Sequence, residues 1–435
     1  MTQAKPLRLL LIADSDSQLL ACEALCRFSA EQAVELTINV IPRDGTPPAL
    51  LRRVAGLGTV WQQQLAPLLK DRRLFDVDAI GVFLTGSKLN DIRLALDRHG
   101  QRPVLFCGFN GVVLEHFIEG ISWRLGYDLI CLSGPRDQQR LDQLLANTPY
   151  SGQRTVLTGL RRNSAVELPL KPREQRPKRL VFAEQVIMPA TAKERARMVR
   201  ILADLAERSP DWEVLIKPRI APGDATFHDV DTHISATVHS TLGCPPANLR
   251  LDYRPLPDLL RQARLMATLS STAFFDALDF GCSPVVMADL GLNPRYGGHV
   301  FAGSGVWRTL ATVSDLDALE QDLPDPDPAW LAWMGYSGHG GPDALLDAIR
   351  RLPGPTVQPA VPGYLANAKS SFNQLRLGAE AAIAMGDWQE ARELLNQAAQ
   401  MRPQHRGVAQ RHCAVSRSNP LLRALLLRIT YRDLG

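Results

Sequence analysis

Twice along the chain, short apolar runs alternate with helical stretches, and this repetition restricts the available folds more than any other feature. In the first series the apolar runs fall at 7–13 (LRLLLIA), 34–41 (VELTINVI), 76–84 (DVDAIGVFL), 102–108 (RPVLFCG), 126–133 (GYDLICLS) and 154–159 (RTVLTG). Helical patterns separate them, including one that opens on DSDS and a long one expected from Pro48 to about Leu69. Strands apolar along their whole length, with helices between them, make a parallel sheet covered on both faces.

The stretch 161–179 (RRNSAVELPLKPREQRPKR) is rich in proline and charge, has no apolar period and reads as a linker. The alternation then resumes with RLVFAEQV, a helix over 191–208, WEVLIKPR, NLRLDYR, PDLLRQA, RLMATLS, TAFFDALDFG and PVVMADL. The expected fold is therefore α/β, with two doubly wound, Rossmann-like domains at 1–160 and 180–355. Their strands' carboxyl ends would line a cleft, the place where such sheets bind ligands. A helical tail, 356–435, follows. Within it Gly386, Trp388, Ala391, Ala398 and Pro403, with Ala379 before them, stand at the spacing of one tetratricopeptide-like hairpin. A single repeat cannot bury its own face, so the tail is expected to pack on the second domain. The hairpin could also bind a partner.

A chain of 435 residues exceeds one compact core, which agrees with two domains. The formal charge of +4 is small for this length and argues against nucleic acid as a partner. The seven cysteines show no zinc-site spacing and read mostly as buried hydrophobes in a reducing compartment. The run Leu9 to Ala13 is too short for the core of a secretion signal, and no stretch reaches about 18 apolar residues. The expected location is the cytoplasm. From Arg406 to Arg432 arginines stand between apolar residues. That pattern suits either weak contact with an acidic membrane surface or a packed helix with a basic outer face.

Four places could carry chemistry. Ser270, Ser271 and Thr272 follow an apolar strand and open a helix, where hydroxyls either cap the helix or bind a phosphate beside its free N–H groups. Lys217 and Arg219 leave another strand and could neutralise a phosphate; a solvated loop is the plainer reading. Asp14 and Asp16 end the first strand, where dinucleotide folds carry a glycine fingerprint that is missing here, so no nicotinamide or flavin cofactor is expected. Either carboxylate could cap the helix or act as a general base. Asn110, Glu115 and His116 follow Gly108 and Gly111 after a further strand. His228, His233 and His239 fit no metal spacing and read as exposed loop residues, and no metal site is expected.

These pieces resemble the GT-B glycosyltransferases. More closely, RLLLIADSDSQLL, RPVLFCGFNG, DLICLSGPRD, VLTGLRRN and LSSTAFFDALDFGCSPVVMADLG look like a bacterial glycosyltransferase family known only as DUF6716, over roughly residues 7–310. The turn from Ser270 to Pro284 is similar to that of the CDP-glycerol glycerophosphotransferases and of the Kdo- and sialic-acid-transferring enzymes, whose serines there hold a nucleotide phosphate. Those enzymes often carry His-Pro where this chain has Lys217-Pro218-Arg219, which weakens the case for a cytidine nucleotide.

The resemblance implies a first domain for the acceptor and a second for the donor. A sugar would pass from a nucleotide-sugar, a CMP-sugar among the candidates, to a cell-envelope saccharide or lipid-linked acceptor, with no cofactor and no metal. Ser270, Ser271, Thr272, Lys217 and Arg219 would meet the phosphate, and Asp14 or Asp16 would supply the base. Asn110, Glu115 and His116 would face the acceptor. Two other readings remain open: a related nucleotide-sugar epimerase, and a catalytically silent nucleotide-binding or docking protein.

Overall fold

The computed structural model describes residues 6–15, 18–19, 25, 34–42, 48–99, 101–109, 111–112, 117–146, 150–160, 170–186, 188–221, 232–292, 294–337, 340–352 and 371–432. The first half contains strands β1 (Leu7–Ala13), β2 (Val34–Val40), β3 (Thr59–Trp61), β4 (Ala79–Val82), β5 (Val104–Cys107), β6 (Leu129–Leu132) and β7 (Thr155–Leu157). They form one parallel sheet in the order β3-β2-β1-β4-β5-β6-β7. Leu9 through Ala13 are fully buried in its middle, which is why β1 shows no polar alternation.

β3 corrects the long helix expected from Pro48 to Leu69. The helix ends at Ala55, β3 pairs with β2 as the sheet edge, and a short helix resumes at Leu65–Leu68. Gly56 and Gly58 break the helical run. At Gly58 the backbone passes so close to β2 that a Cβ would lie 2.7 Å from the Leu36 carbonyl oxygen.

The second sheet holds β8 (Arg179–Ala183), β9 (Glu213–Lys217), β10 (Leu249–Leu251), β11 (Leu265–Thr268), β12 (Ser283–Met287) and β13 (Trp307–Arg308). It is parallel, in the order β10-β9-β8-β11-β12-β13. Helices cover both faces: Ala192–Arg208 buries Met198, Val199, Leu202 and Leu205 on one side, and Ala273–Asp279 buries Phe274 and Phe275 on the other. The fold is thus two doubly wound α/β units of the Rossmann kind. In the linker stretch, residues 161–169 lie outside the described residues. Arg176 is buried against the second unit, its guanidinium donating to the Leu260 and Ala263 carbonyls at 3.3 and 3.1 Å.

The chain then crosses back. Helix Pro328–Met334 meets helix Pro135–Leu145, where the Trp333 indole donates to Gln139 at 3.1 Å. The backbones touch so closely that a Cβ on Gly134 would lie 2.4 Å from the Gly335 nitrogen. Helix Pro342–Arg351 lies against β7 and places Leu345, Leu346 and Ile349 in a core of the first unit. Four helices end the described chain: Phe372–Met385, Trp388–Met401, Arg406–Val415 and Pro420–Arg432.

The tail docks on the first unit, which corrects the expected packing on the second. Leu377 joins the first unit's core, and the Asn90 amide donates to Glu380 at 2.8 Å. Glu380 also pairs with Arg411 at 3.2 Å, both fully buried, and the Arg376 guanidinium lies 5.1 Å from the Trp123 ring centre. Two groups decided the docking side: a buried carboxylate that needs partners, and an apolar strip at Leu377 that needs a core. Neither has a sequence-local signature.

Candidate functional site

A parallel doubly wound sheet opens a crevice where the strand order reverses, beyond the carboxyl ends of the two strands that flank the reversal. In the first sheet those strands are β1 and β4, and in the second β8 and β11.

β1 runs out at Ala13 into Asp14, whose side chain is fully buried. Its carboxylate accepts from the Lys88 ammonium at 2.8 Å. Lys88 is the second residue of helix Ser87–Asp97, which follows β4, so the pair spans the two strands of the reversal. The Asp14 N–H donates to the Gln18 amide oxygen at 2.6 Å, fixing the turn. Lys88 is itself half-exposed, so this carboxylate is neutralised from the solvent side by a group on a flexible stem. Asp16, Asn110, Glu115 and His116 lie outside the described residues. At the end of β5 the Gly108 carbonyl accepts two bonds from the Arg124 guanidinium, at 3.0 and 2.9 Å, and that guanidinium stacks 3.8 Å over the Phe109 ring.

At the second reversal, β8 ends in Glu184 and Gln185, two residues that sequence reasoning passed over. One Glu184 carboxylate oxygen pairs with Arg195 at 3.0 Å, and the other accepts from the Arg219 N–H at 3.0 Å. Arg195 also donates to the Val186 carbonyl at 3.0 Å. Gln185 reaches across to β11: its oxygen accepts from the Ser270 N–H at 3.0 Å, and its nitrogen donates to the Ser270 hydroxyl at 3.3 Å.

The three hydroxyls therefore do different things. Ser270 is fully buried and held by Gln185 and Met188. The Ser271 hydroxyl accepts from the Ala273 N–H at 3.2 Å, which is capping, and it is half-exposed with its own proton available to donate. Thr272 is half-exposed and makes no side-chain cap bond.

Lys217 closes β9 and bonds to the Pro218 carbonyl. Burial first, and then the neighbouring Arg219 charge, lowers its pKa. An ammonium in that state gains from any anion that approaches. Lys217, Arg219, Ser270 and Ser271 thus gather around Glu184 and Gln185, and Asp14 belongs to the other sheet.

His233 is no exposed loop residue. It caps helix Ile234–Leu242, its Nδ1 accepting from the Ser235 N–H at 3.1 Å. That leaves the proton on Nε2, 3.0 Å from the Ile220 carbonyl, so the ring ties the helix to the loop that carries Arg219. His228 lies outside the described residues, and His239 is exposed on the helix. Among the described residues no group of three His, Cys, Asp or Glu side chains comes together as a metal site would require.

The missed residues had one weak signal in the sequence. Glu184 follows directly on an apolar run, with Gln185 after it, but only strand order shows which runs flank a reversal.

Comparison with known proteins gives a family and a fold. The profile of a family described as "Putative glycosyltransferase (DUF6716)" matches residues 9–352. No curated protein matches the chain. Among solved structures, LpCGTa in complex with UDP is 12% identical, with a TM-score of 0.51 over 80% of this chain and 100% of that one. A glycosyltransferase from Rickettsia africae ESF-5 is 8% identical, with a TM-score of 0.50 over 81% and 95%. A "putative UDP-N-acetylglucosamine 2-epimerase" from Listeria monocytogenes is 13% identical, with a TM-score of 0.51 over 80% and 96%. At these identities the likeness is one of fold, the two-unit GT-B arrangement.

Proposed function

The chain belongs to the DUF6716 glycosyltransferase family, and from that premise we propose that it moves a sugar from a nucleotide-activated donor to a cell-envelope polysaccharide or glycolipid in the cytoplasm. The observation that carries this reading is the placement of Lys217 and Arg219 after β9 and of Ser271 after β11, on either side of the Glu184 and Gln185 that follow β8, with Gln185 locked to Ser270.

In such a transfer the sugar–phosphate bond breaks through an oxocarbenium-like state, and negative charge grows on the departing phosphate. Donors already in position for that charge stabilise the transition state more than the ground state. Ser271 and Thr272, both half-exposed, would donate to the phosphate oxygens, and Lys217 and Arg219 would supply charge. Ser270, fully buried, would act by fixing the turn.

Asp14 would take the proton of the acceptor hydroxyl. It would do so once Lys88 swings away and gives up the carboxylate oxygen it now holds. Asp16 is a second candidate for the base, and Asn110, Glu115 and His116 would face the acceptor. Neither metal nor cofactor enters this scheme.

The donor base is the first quantity to measure. UDP is bound in LpCGTa, and the turn's resemblance points to CMP, so a melting screen should include UDP, CDP, GDP, CMP and their sugar conjugates. A ligand at about a hundred times its dissociation constant adds about 2.7 kcal/mol, a shift of roughly 5–10 °C for a unit near 200 residues. A shift with one base family names the donor. If no nucleotide moves the melt, the cluster only caps and braces the turn, and the docking-protein reading replaces this one.

The epimerase reading has the Listeria structure in its favour. Product analysis separates the two. An epimerase changes the sugar while it stays on its nucleotide and needs no acceptor, whereas a transferase frees the nucleotide only when an acceptor is present.

A further inference from the structure

Between Arg402 and Arg432 the chain carries seven arginines and no aspartate or glutamate. Arg411 is consumed internally by its pairing with Glu380, but Arg402, Arg406, Arg417 and Arg428 are exposed. The last helix, Pro420–Arg432, rests on its neighbours through Leu427 and Thr430, both buried, and Leu426, partly buried. If it were an ordinary packed helix, its remaining face would be polar. Instead Leu421 is 83% exposed, Leu425 56%, Ile429 46% and Leu422 42%.

Leu421, Leu425 and Ile429 recur at every fourth position and make one stripe along the outer face. The orientation of that stripe is fixed at its start, where the Asn419 side chain accepts from the Leu421 and Leu422 N–H groups at 2.9 and 3.2 Å. It is fixed again at Arg423, whose guanidinium lies 4.0 Å over the Trp388 ring. Arg428 stands beside the stripe and Arg417 just before it.

We propose that helix Pro420–Arg432 is an amphipathic foot that seats the protein on an anionic lipid surface. The leucines and Ile429 enter the boundary between headgroups and acyl chains, and Arg417 and Arg428 meet lipid phosphates. At 13 residues the helix is about 20 Å long and lies in the plane of the surface. Among the described residues no helix is long and apolar enough to cross a membrane. Charge selects the occupant. A two-fold pairing of this face with a second copy would bring Arg417 and Arg428 of one copy near the same arginines of the other, whereas an anionic bilayer supplies the opposite sign. The foot stands apart from the proposed transfer chemistry, and its test requires no turnover.

The test is co-sedimentation of the full chain with vesicles of phosphatidylcholine alone or with one third phosphatidylglycerol. The expected result is binding to the anionic vesicles, weakened at least about tenfold by removing the phosphatidylglycerol or by raising salt to about 0.5 M. The variant Leu421→Ser with Leu425→Ser and Ile429→Ser should lose about tenfold or more of that binding. The variant Arg417→Gln with Arg428→Gln, which alters no apolar packing, should lose its salt dependence and most of its affinity. Three results would overturn the proposal: no binding to either vesicle, equal binding by the parent and both variants, or concentration-dependent dimerisation of the parent that the serine variant abolishes.

Discussion

Where β1 gives way to Asp14, the first unit offers a buried carboxylate held by a half-exposed ammonium from the helix after β4. Where β8 and β11 end, the second unit offers an amide locked to a serine, a capping hydroxyl, and Glu184 held by the Arg195 guanidinium and the Arg219 N–H. The strand order around the two reversals is the same, 3-2-1-4-5-6, with one strand more in the first sheet. Topology therefore fixes the place, and side chains decide what is done there: under the proposed function, a proton acceptor on one side and charge acceptance on the other.

The largest effect that could break this division is expected at Asp14. Asp14→Asn should lower turnover by about 10²–10⁴-fold and leave nucleotide affinity unchanged. Parallel loss of both in a kinetic and binding assay would place Asp14 in the framework instead. Glu184→Ala comes next. It removes the partner of the mostly buried Arg195 and of the Arg219 N–H, and should cost about 3–5 kcal/mol of stability in denaturant unfolding. A cost near zero would mean that Glu184 braces nothing.

The hydroxyls sharpen the contrast inside the second unit. Ser271→Ala should weaken nucleotide binding by about 1–3 kcal/mol in calorimetry, and Ser270→Ala should instead reduce stability by about 1–3 kcal/mol. The reverse pattern would reassign the phosphate contact to Ser270.

A smaller effect tests the seam between first unit and tail. Burial, then the charge of Glu380, pushes the Asp91 carboxyl up to about 6, with Arg376 and Arg411 opposing. The folded state thus holds this proton more tightly than the unfolded chain. Asp91's contribution to stability therefore falls as pH rises from about 4, and the loss is complete above about 6. Asp91→Asn should raise the melting temperature at pH 7.5 and leave it unchanged at pH 4, and equal shifts at both would assign the effect to something other than the proton. The smallest expected effect is that of chelators, which should leave transfer intact, and a strict divalent-ion requirement would count against the metal-free scheme.

Much of the fold could be read from residue order alone. Fully apolar runs such as Leu9 to Ala13 can only be strands buried on both faces, and helices between them force parallel pairing. Edge elements were harder to read. β3 has three residues and β13 two, too few to set up a period against the helical pattern around them. The candidate site divides the same way. Ser270, Ser271, Lys217 and Asp14 stood out because hydroxyls and charges at strand ends are chemically conspicuous. Lys88, Glu184, Gln185 and Arg195 did not, because each acquires its role from a residue at least eleven positions away.

The sequence by itself determined the two parallel units, the polar residues at their strand ends and the arginine-rich stretch from Arg402 to Arg432, since all follow from local pattern and composition. Only the tertiary structure decided which strand ends flank a reversal, that Glu184 serves Arg195 and Arg219 together, that the tail crosses to the first unit, and that Leu421, Leu425 and Ile429 face outward. The reason is physical. Pattern records whether a residue must be buried or solvated, and says nothing of which distant partner will satisfy it. That choice is made when buried charges and apolar strips are brought together.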